Sequence, residues 1–177
     1  VLRLIDAAEP NFALVLKAAF YTGARPGELR KLSVKDFKPA AKQLNIAKGK
    51  TKARCTTLTN EAVQFFASLT RDKMPNAPLL TKGDGTAWEA GDQKIPMRAA
   101  LVAAELFTAK QLDDMARHER PVLYSLRHTY ISRAIEQGIP MLIIAQNVGN
   151  SVAMIERHYA KIIERTRQEG IEKGAPS

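Results

Sequence analysis

Four short stretches hold side chains that could act on a phosphate ester. In "TGARPGEL", Arg25 follows a glycine and precedes a proline-led helix start, a junction where free backbone N–H groups gather. An arginine there can be aimed at a phosphate, or it can be a surface residue paired with Glu28 one helical turn on. In "KGKTKAR", four basic residues crowd seven positions. That is either a solvated turn or a mobile loop delivering a cation, and a lysine there could also hand over a proton if its pKa is lowered. "LYSLRHTY" puts Arg127 and His128 at the opening of a helix, with Tyr124 one turn before. "NVGNSVAMIERHYAK" breaks one helix at Gly149–Asn150, offers Ser151 as the cap of the next, and carries Tyr159 two turns into it. Tyr159, between His158 and Lys161, can be a nucleophile or an ordinary packing tyrosine with a polar tip.

Other chemistries fit less well. A Ser125/His128 nucleophile pair lacks a glycine elbow and a clear third partner. The three histidines, His118, His128 and His158, show no metal-site spacing, so no metal or other cofactor is expected. Cys55 is the sole cysteine, which rules out an internal disulfide framework and fits a reducing compartment. Lys plus Arg number 27 against 18 Asp plus Glu, a net charge of +9, which favours a polyanionic partner. No run of eighteen apolar residues and no basic-then-apolar leader is present, so neither a membrane span nor a signal peptide is expected. The opening at Val1 rather than a methionine suggests a fragment with a domain missing before it.

The elements that must position these residues follow from apolar spacing and punctuation. "VLRLIDAA" and "NFALVLKAAFYTG" read as helices, the second starting at Pro10–Asn11 and stopping at Gly23. A short helix starts at Pro26. "QLNIA" and "RCTTLT" read as a β-hairpin with a lysine-rich tip. "NEAVQFFASLTRD" is a helix capped by Asn60, with a stripe of Val63, Phe66 and Leu69. The Gly-, Pro- and Asp-rich middle is a loop region with a short hairpin near "GDGTAW", anchored by Trp88. "QKIPMRAALVAAELF" is a helix and "DDMARHERP" a polar connector. The last third is helical, broken at Gly138–Pro140 and Gly149–Asn150, and the last seven residues look frayed.

Together, "TGARPGEL", the lysine of "GKTKAR", "YSLRHTY" and "VGNS…HYAK" resemble, in order, the boxes of the tyrosine recombinase catalytic domain, the phage integrase family. The nine residues from Asn150 to Tyr159 match that family's spacing. The resemblance implies an α+β, mainly α-helical fold with a small antiparallel β-hairpin or sheet at one edge, residues 1–177 forming one C-terminal catalytic domain. It implies DNA cleavage without metal or ATP, in which Tyr159 forms a 3′-phosphotyrosyl bond. Arg25 and Arg127 would clamp the non-bridging oxygens, and Lys50 would protonate the leaving oxygen. Lys48, Lys52, Arg54 and Arg133 are expected backbone contacts on DNA. His128 is expected to pack in its helix or to touch DNA.

Two positions depart from the family pattern: Tyr124 stands where His or Lys is usual, and Asn150 where His or Trp is usual. Both keep a hydrogen-bond donor and lose a group that titrates near neutrality, so proton transfer is expected to rest on Lys50, with no histidine limb near pH ~6.5. The expected partners are double-stranded attachment sites and three further copies in a tetramer, in a prokaryotic, nucleoid-associated setting. The tail, 160–177, is expected to dock on a neighbour or to pack Ile162 and Ile163 on its own chain. A type IB topoisomerase and a non-catalytic DNA-binding relative are the rival readings.

Overall fold

The computed structural model describes residues 1–47 and 53–174. Its helices are α1 (Leu2–Asp6), α2 (Pro10–Thr22), α3 (Pro26–Leu29), α4 (Asn60–Thr70), α5 (Lys94–Ala103), α6 (Ala109–Asp114), α7 (Ser125–Glu136), α8 (Met141–Val148) and α9 (Val152–Gly174). The strands β1 (Phe37–Lys38), β2 (Gln43–Ile46) and β3 (Arg54–Thr57) form one antiparallel sheet in that order. The hairpin expected from the sequence is β2–β3, in register Gln43↔Thr57 to Ile46↔Arg54. Its lysine tip, with Lys48, Lys50 and Lys52, lies outside the described residues. β1 was not expected, because two residues are too few to show a periodicity.

The punctuation works by simple mechanisms. Glu9 accepts the N–H groups of Asn11 and Phe12 and so caps α2, with Pro10 in the first turn. Gly23 ends α2 at φ +60, and a Cβ there would meet the Tyr130 ring at 2.7 Å, so glycine lets α2 end hard against α7. α4 departs from expectation at its cap. The Thr59 hydroxyl accepts the Ala62 N–H, while Asn60 instead accepts a hydrogen bond from Lys42. "DDMARHERP" is not all connector, since Asp113 and Asp114 close α6. That helix starts on a Thr108/Gln111 capping box and buries only Leu112, too few apolar residues to show a stripe. The middle segment folds a small turn, Thr81 bridging Ala87, and Trp88 packs on Phe12 at 5.7 Å.

Two apolar clusters result. The larger gathers α1 to α5 with the inner face of the sheet, around Phe12, Leu16, Leu44 and Phe66. The smaller joins α7, α8 and α9 through Ile131, Ile135, Ile144, Val148, Ile155 and Tyr159. α7 takes part in both, with Leu126 in the first and Ile131 in the second, and it packs along α2 and α9. Ile162 and Ile163 lean on the smaller cluster of their own chain, and Arg165 pairs with Glu136 of α7. α9 remains helical to Gly174, into the stretch expected to fray. No helix among the described residues is long and apolar enough to cross a membrane.

Candidate active site

The site is built around the C-terminal end of α8. A helix end leaves carbonyls without intrahelical partners and carries partial negative charge, so it attracts cations. Here three successive carbonyls each take an arginine. Arg54 Nε donates to Asn147 O at 3.1 Å, Arg127 Nη1 to Val148 O at 2.7 Å, and Arg25 Nη2 to Gly149 O at 3.1 Å. The arginines come from β3, α7 and the turn before α3, so one helix end collects three distant segments.

Glu28 organises two of them. Its carboxylate accepts both Nη atoms of Arg54 at 2.8 Å, the Arg25 backbone N–H at 2.8 Å and Arg25 Nη1 at 3.1 Å. Burial works to raise the pKa of this carboxyl. The hydrogen bonds from Arg54 and from the Arg25 backbone, with the charge of Arg54, outweigh it and hold the pKa at about 2. The folded value lies below the ordinary 4.5, so the resulting stability is fully present above pH 4.5 and is lost as pH falls toward 2. The urea midpoint of the wild type therefore drops across that window. Glu28→Gln starts lower at neutral pH, by about 3–5 kcal/mol, because the buried Arg54 guanidinium and the half-buried Arg25 lose their counter-charge, and it varies less with acid. A wild-type midpoint that stayed constant from pH 4.5 to 2 would contradict this pairing.

These contacts correct one expectation. Arg54 is not a free phosphate contact: only 8% of its side chain is exposed, and it is held by Glu28 and Asn147. On a strand, an arginine facing a carboxylate reads the same in sequence as one facing a phosphate. Arg133 is exposed and stacks its guanidinium over Phe20 at 4.6 Å, where it remains open to solvent.

Arg127 is the most deeply placed cation, 1% exposed. Nη1 spans Gly23 O at 2.9 Å and Val148 O at 2.7 Å. Nη2 is buried and has no hydrogen-bond partner among the described residues. Burial first, and then the charge of Arg25, push the Arg127 pKa down to about 10, so the group stays charged at neutral pH while lacking an anion. Among the described residues, Glu28 pairs with Arg25 and Arg54, and Arg127 has no carboxylate partner.

The turn after α8 depends on Gly149, whose φ is +66 and whose Cβ position lies 2.8 Å from Arg54 Nη1. Gly149→Ala must therefore adopt a left-handed backbone and displace the Arg54 guanidinium. We expect a loss of at least about 2 kcal/mol in denaturant unfolding, since left-handed strain alone is about 1–2 kcal/mol. An unchanged midpoint would show that the turn is not under this constraint.

Asn147, which sequence reasoning passed over, fastens the hairpin to this turn. Its side-chain carbonyl accepts the Thr57 N–H at 2.6 Å, and its amide donates to Thr57 O at 3.2 Å and Tyr130 Oη at 2.6 Å. Its backbone oxygen also accepts from Thr56 Oγ1 at 2.9 Å. The base of the lysine hairpin is thus tied to the segment that carries Asn150. Asn150, Gly149, Arg25 and the hairpin base at Ala53–Cys55 line one open cleft.

Tyr159 sits in the smaller cluster at 7% exposure, and its backbone, φ −118 and ψ 17, leaves the helical path inside α9. Its hydroxyl lies 2.7 Å from His128 Nδ1. Burial raises the phenol pKa to about 12, against a smaller opposing pull from Arg127. The partly exposed His128 imidazole is lowered from its ordinary value by desolvation, then by the charges of Arg127 and His158. Tyr124, the residue before α7, sets its ring edge-on to His128 at 5.3 Å, with 38% of its surface exposed. His128 thus reaches beyond its own helix, touching the Tyr159 hydroxyl on α9 and the Tyr124 ring. The signal was available: His128 lies four residues after Tyr124, on the same helical face.

A family model described as "Phage integrase family" matches residues 1–165. The chain belongs to the phage integrase family. Comparison with curated proteins found no match. Among solved structures, XerA recombinase superposes with a TM-score of 0.70 at 21% identity, over 99% of this chain and 63% of that one. The catalytic domain of bacteriophage HP1 integrase gives 0.67 at 19% identity, over 97% of this chain and 89% of that one. Tn1549 transposon integrase, described in complex with circular intermediate DNA, gives 0.68 at 18% identity, over 94% and 60%. At these identities the likeness shows a shared fold. The chain spans about six-tenths of the length of the XerA and Tn1549 proteins. Within this integrase-family fold, Arg25 and Arg127 are held on carbonyls at the end of α8, next to Asn150, and the Tyr159 hydroxyl meets His128, the neighbour of Arg127 on α7.

Proposed function

We propose that this chain is the catalytic part of a site-specific DNA recombinase, a family member that cuts and rejoins strands through a phosphotyrosine. The observation that carries it is the buried Nη2 of Arg127, which has no hydrogen-bond partner among the described residues, at the helix end that also holds Arg25 and on the same helix as the partner of the Tyr159 hydroxyl. A phosphodiester supplies the missing anion. Arg127 Nη2 and the exposed edge of Arg25 donate to its non-bridging oxygens, where charge concentrates in the transition state. The Tyr159 oxygen attacks phosphorus, the bond to the 5′ oxygen breaks, and that oxygen takes its electron pair and a proton from Lys50 on the hairpin tip. The 3′-phosphotyrosyl bond retains the energy of the diester, so the reverse step reseals without ATP. Asn150 and Tyr124 serve as neutral donors around the phosphate. Lys48, Lys52 and Arg133 hold the DNA backbone, which gives affinity and salt dependence rather than sequence choice.

The substrate is double-stranded DNA bearing paired attachment sites. That reading is supported by the DNA complex of the Tn1549 relative and by the net charge of +9. Four chains would assemble on two sites. Ile162 and Ile163 are engaged on their own chain, so the tail beyond them is the segment offered to a neighbour.

The test is a nicked suicide substrate carrying the attachment site, incubated with the full-length protein. A denaturation-resistant protein–DNA adduct, mapped to Tyr159 by peptide sequencing, supports the proposal. Tight binding without adduct would make the chain a DNA-binding relative. Relaxation of plasmid DNA lacking a site would make it a topoisomerase.

A further inference from the structure

We propose that His128 takes the phenolic proton from Tyr159 as it attacks and returns it when the strand is resealed. The inference rests on the reading of Tyr159 as the nucleophile, and it adds a residue to the reaction.

The geometry is that of a base already in contact. His128 Nδ1 and Tyr159 Oη are 2.7 Å apart, within the reach that proton transfer needs. Packing imposes the contact: Tyr159 is wedged into the α7–α8–α9 cluster, and α9 departs from helical geometry at that residue alone. Such a base is required. With the phenol pushed up to about 12, only roughly one molecule in 10⁵ is phenolate at pH 7. Tyr124, the other polar ring on this face, carries a hydroxyl too weakly basic to accept a proton. The titratable and charged groups acting on His128 are Arg127 on its own helix, Tyr124 just before that helix, and His158 and Tyr159 on α9. Desolvation, Arg127 and His158 all favour the neutral imidazole, the form that can accept. Acceptance at Nδ1 places the ring proton on Nε2.

The step balances without another reagent. The phenolic proton goes to Nδ1 while the oxygen lone pair forms the bond to phosphorus, and the departing 5′ oxygen is protonated separately. On resealing, the 5′ hydroxyl attacks, the tyrosine oxygen leaves with its electron pair, and the His128 cation gives the proton back.

The test compares full-length wild type with His128→Gln and His128→Ala on the nicked substrate in single turnover. Cleavage should fall about 10²–10⁴-fold at neutral pH with DNA binding retained. The wild-type rate should fall with acid below the ordinary histidine range and level off above it, whereas the variants should keep rising with pH as phenolate forms. Replacing Tyr159 by a fluorotyrosine, a more acidic phenol, should restore the variants more than the wild type. A substrate with sulfur in place of the leaving 5′ oxygen should not restore them. Wild-type rates in both variants, rescue by the sulfur substrate, or equal response to fluorotyrosine in all forms would each overturn the proposal. A wild type that forms no adduct removes the phosphotyrosine reading and this one together, whereas a wild-type adduct with indifferent His128 variants removes only this one.

Discussion

Tyr159→Phe is expected to form no covalent DNA adduct, yet to fold and bind DNA like the wild type. The phenyl ring fills the same space against Ile131, Val148 and Ile155, so no cavity opens. The lost group is one hydroxyl with one partner, and that partner, His128, is partly exposed and can turn to water. The net stability change should stay within about 1 kcal/mol. Adduct formation should drop below detection on a denaturing gel, because among the described residues no other hydroxyl is hydrogen-bonded to His128. The pair of results matters: an adduct that persists in the variant means another residue attacks, and lost binding means the tyrosine is structural.

Arg127→Gln is expected to separate activity from stability. Nη1 holds two buried carbonyls, and a buried acceptor left without its donor costs about 1–3 kcal/mol. Against this, the guanidinium is buried without a carboxylate of its own, and its pKa is pushed down to about 10 by burial and by Arg25. Burial and Arg25 thus make the charge itself unfavourable in the folded chain, and the neutral amide relieves that. The two effects oppose each other, so the melting temperature should fall less than the loss of two hydrogen bonds alone would give. Cleavage should nevertheless fall by about 10³-fold or more, since the donor aimed at the developing charge is gone. Arg127→Lys should lose nearly as much, because one ammonium cannot bridge Gly23 O and Val148 O and still reach a phosphate. Cleavage within tenfold of wild type in Arg127→Gln would remove Arg127 from the chemistry.

Much of this architecture was legible in the sequence, and for identifiable reasons. α2, α7 and α8 end where Gly23, Gly138 and Gly149 take positive φ, and glycine is the residue that announces such turns. Arg25 and Arg127 could be singled out because each stands where a helix opens. The hairpin was readable from its two β-rich runs. What escaped notice depends on which way a side chain faces once the chain is closed. The inward turn of Arg54 was hidden because its partner, Glu28, lies 26 residues away. Asn147 sits in the apolar run "MLIIAQNV" and pairs with a strand 90 residues earlier. The irregular backbone at Tyr159 has no herald in Arg157, His158 or Ala160, which suit an unbroken helix.

The three arginines anchored on successive carbonyls of α8 have an evolutionary corollary. A carbonyl oxygen is the same whichever side chain its residue carries. The seats themselves are therefore indifferent to side-chain identity, although Asn147 also ties down the hairpin and Gly149 must turn left-handed. Relatives only 18–21% identical keep the same fold. Selection then has freedom to vary the side chain at the next position, Asn150, without dismantling the arrangement beneath it.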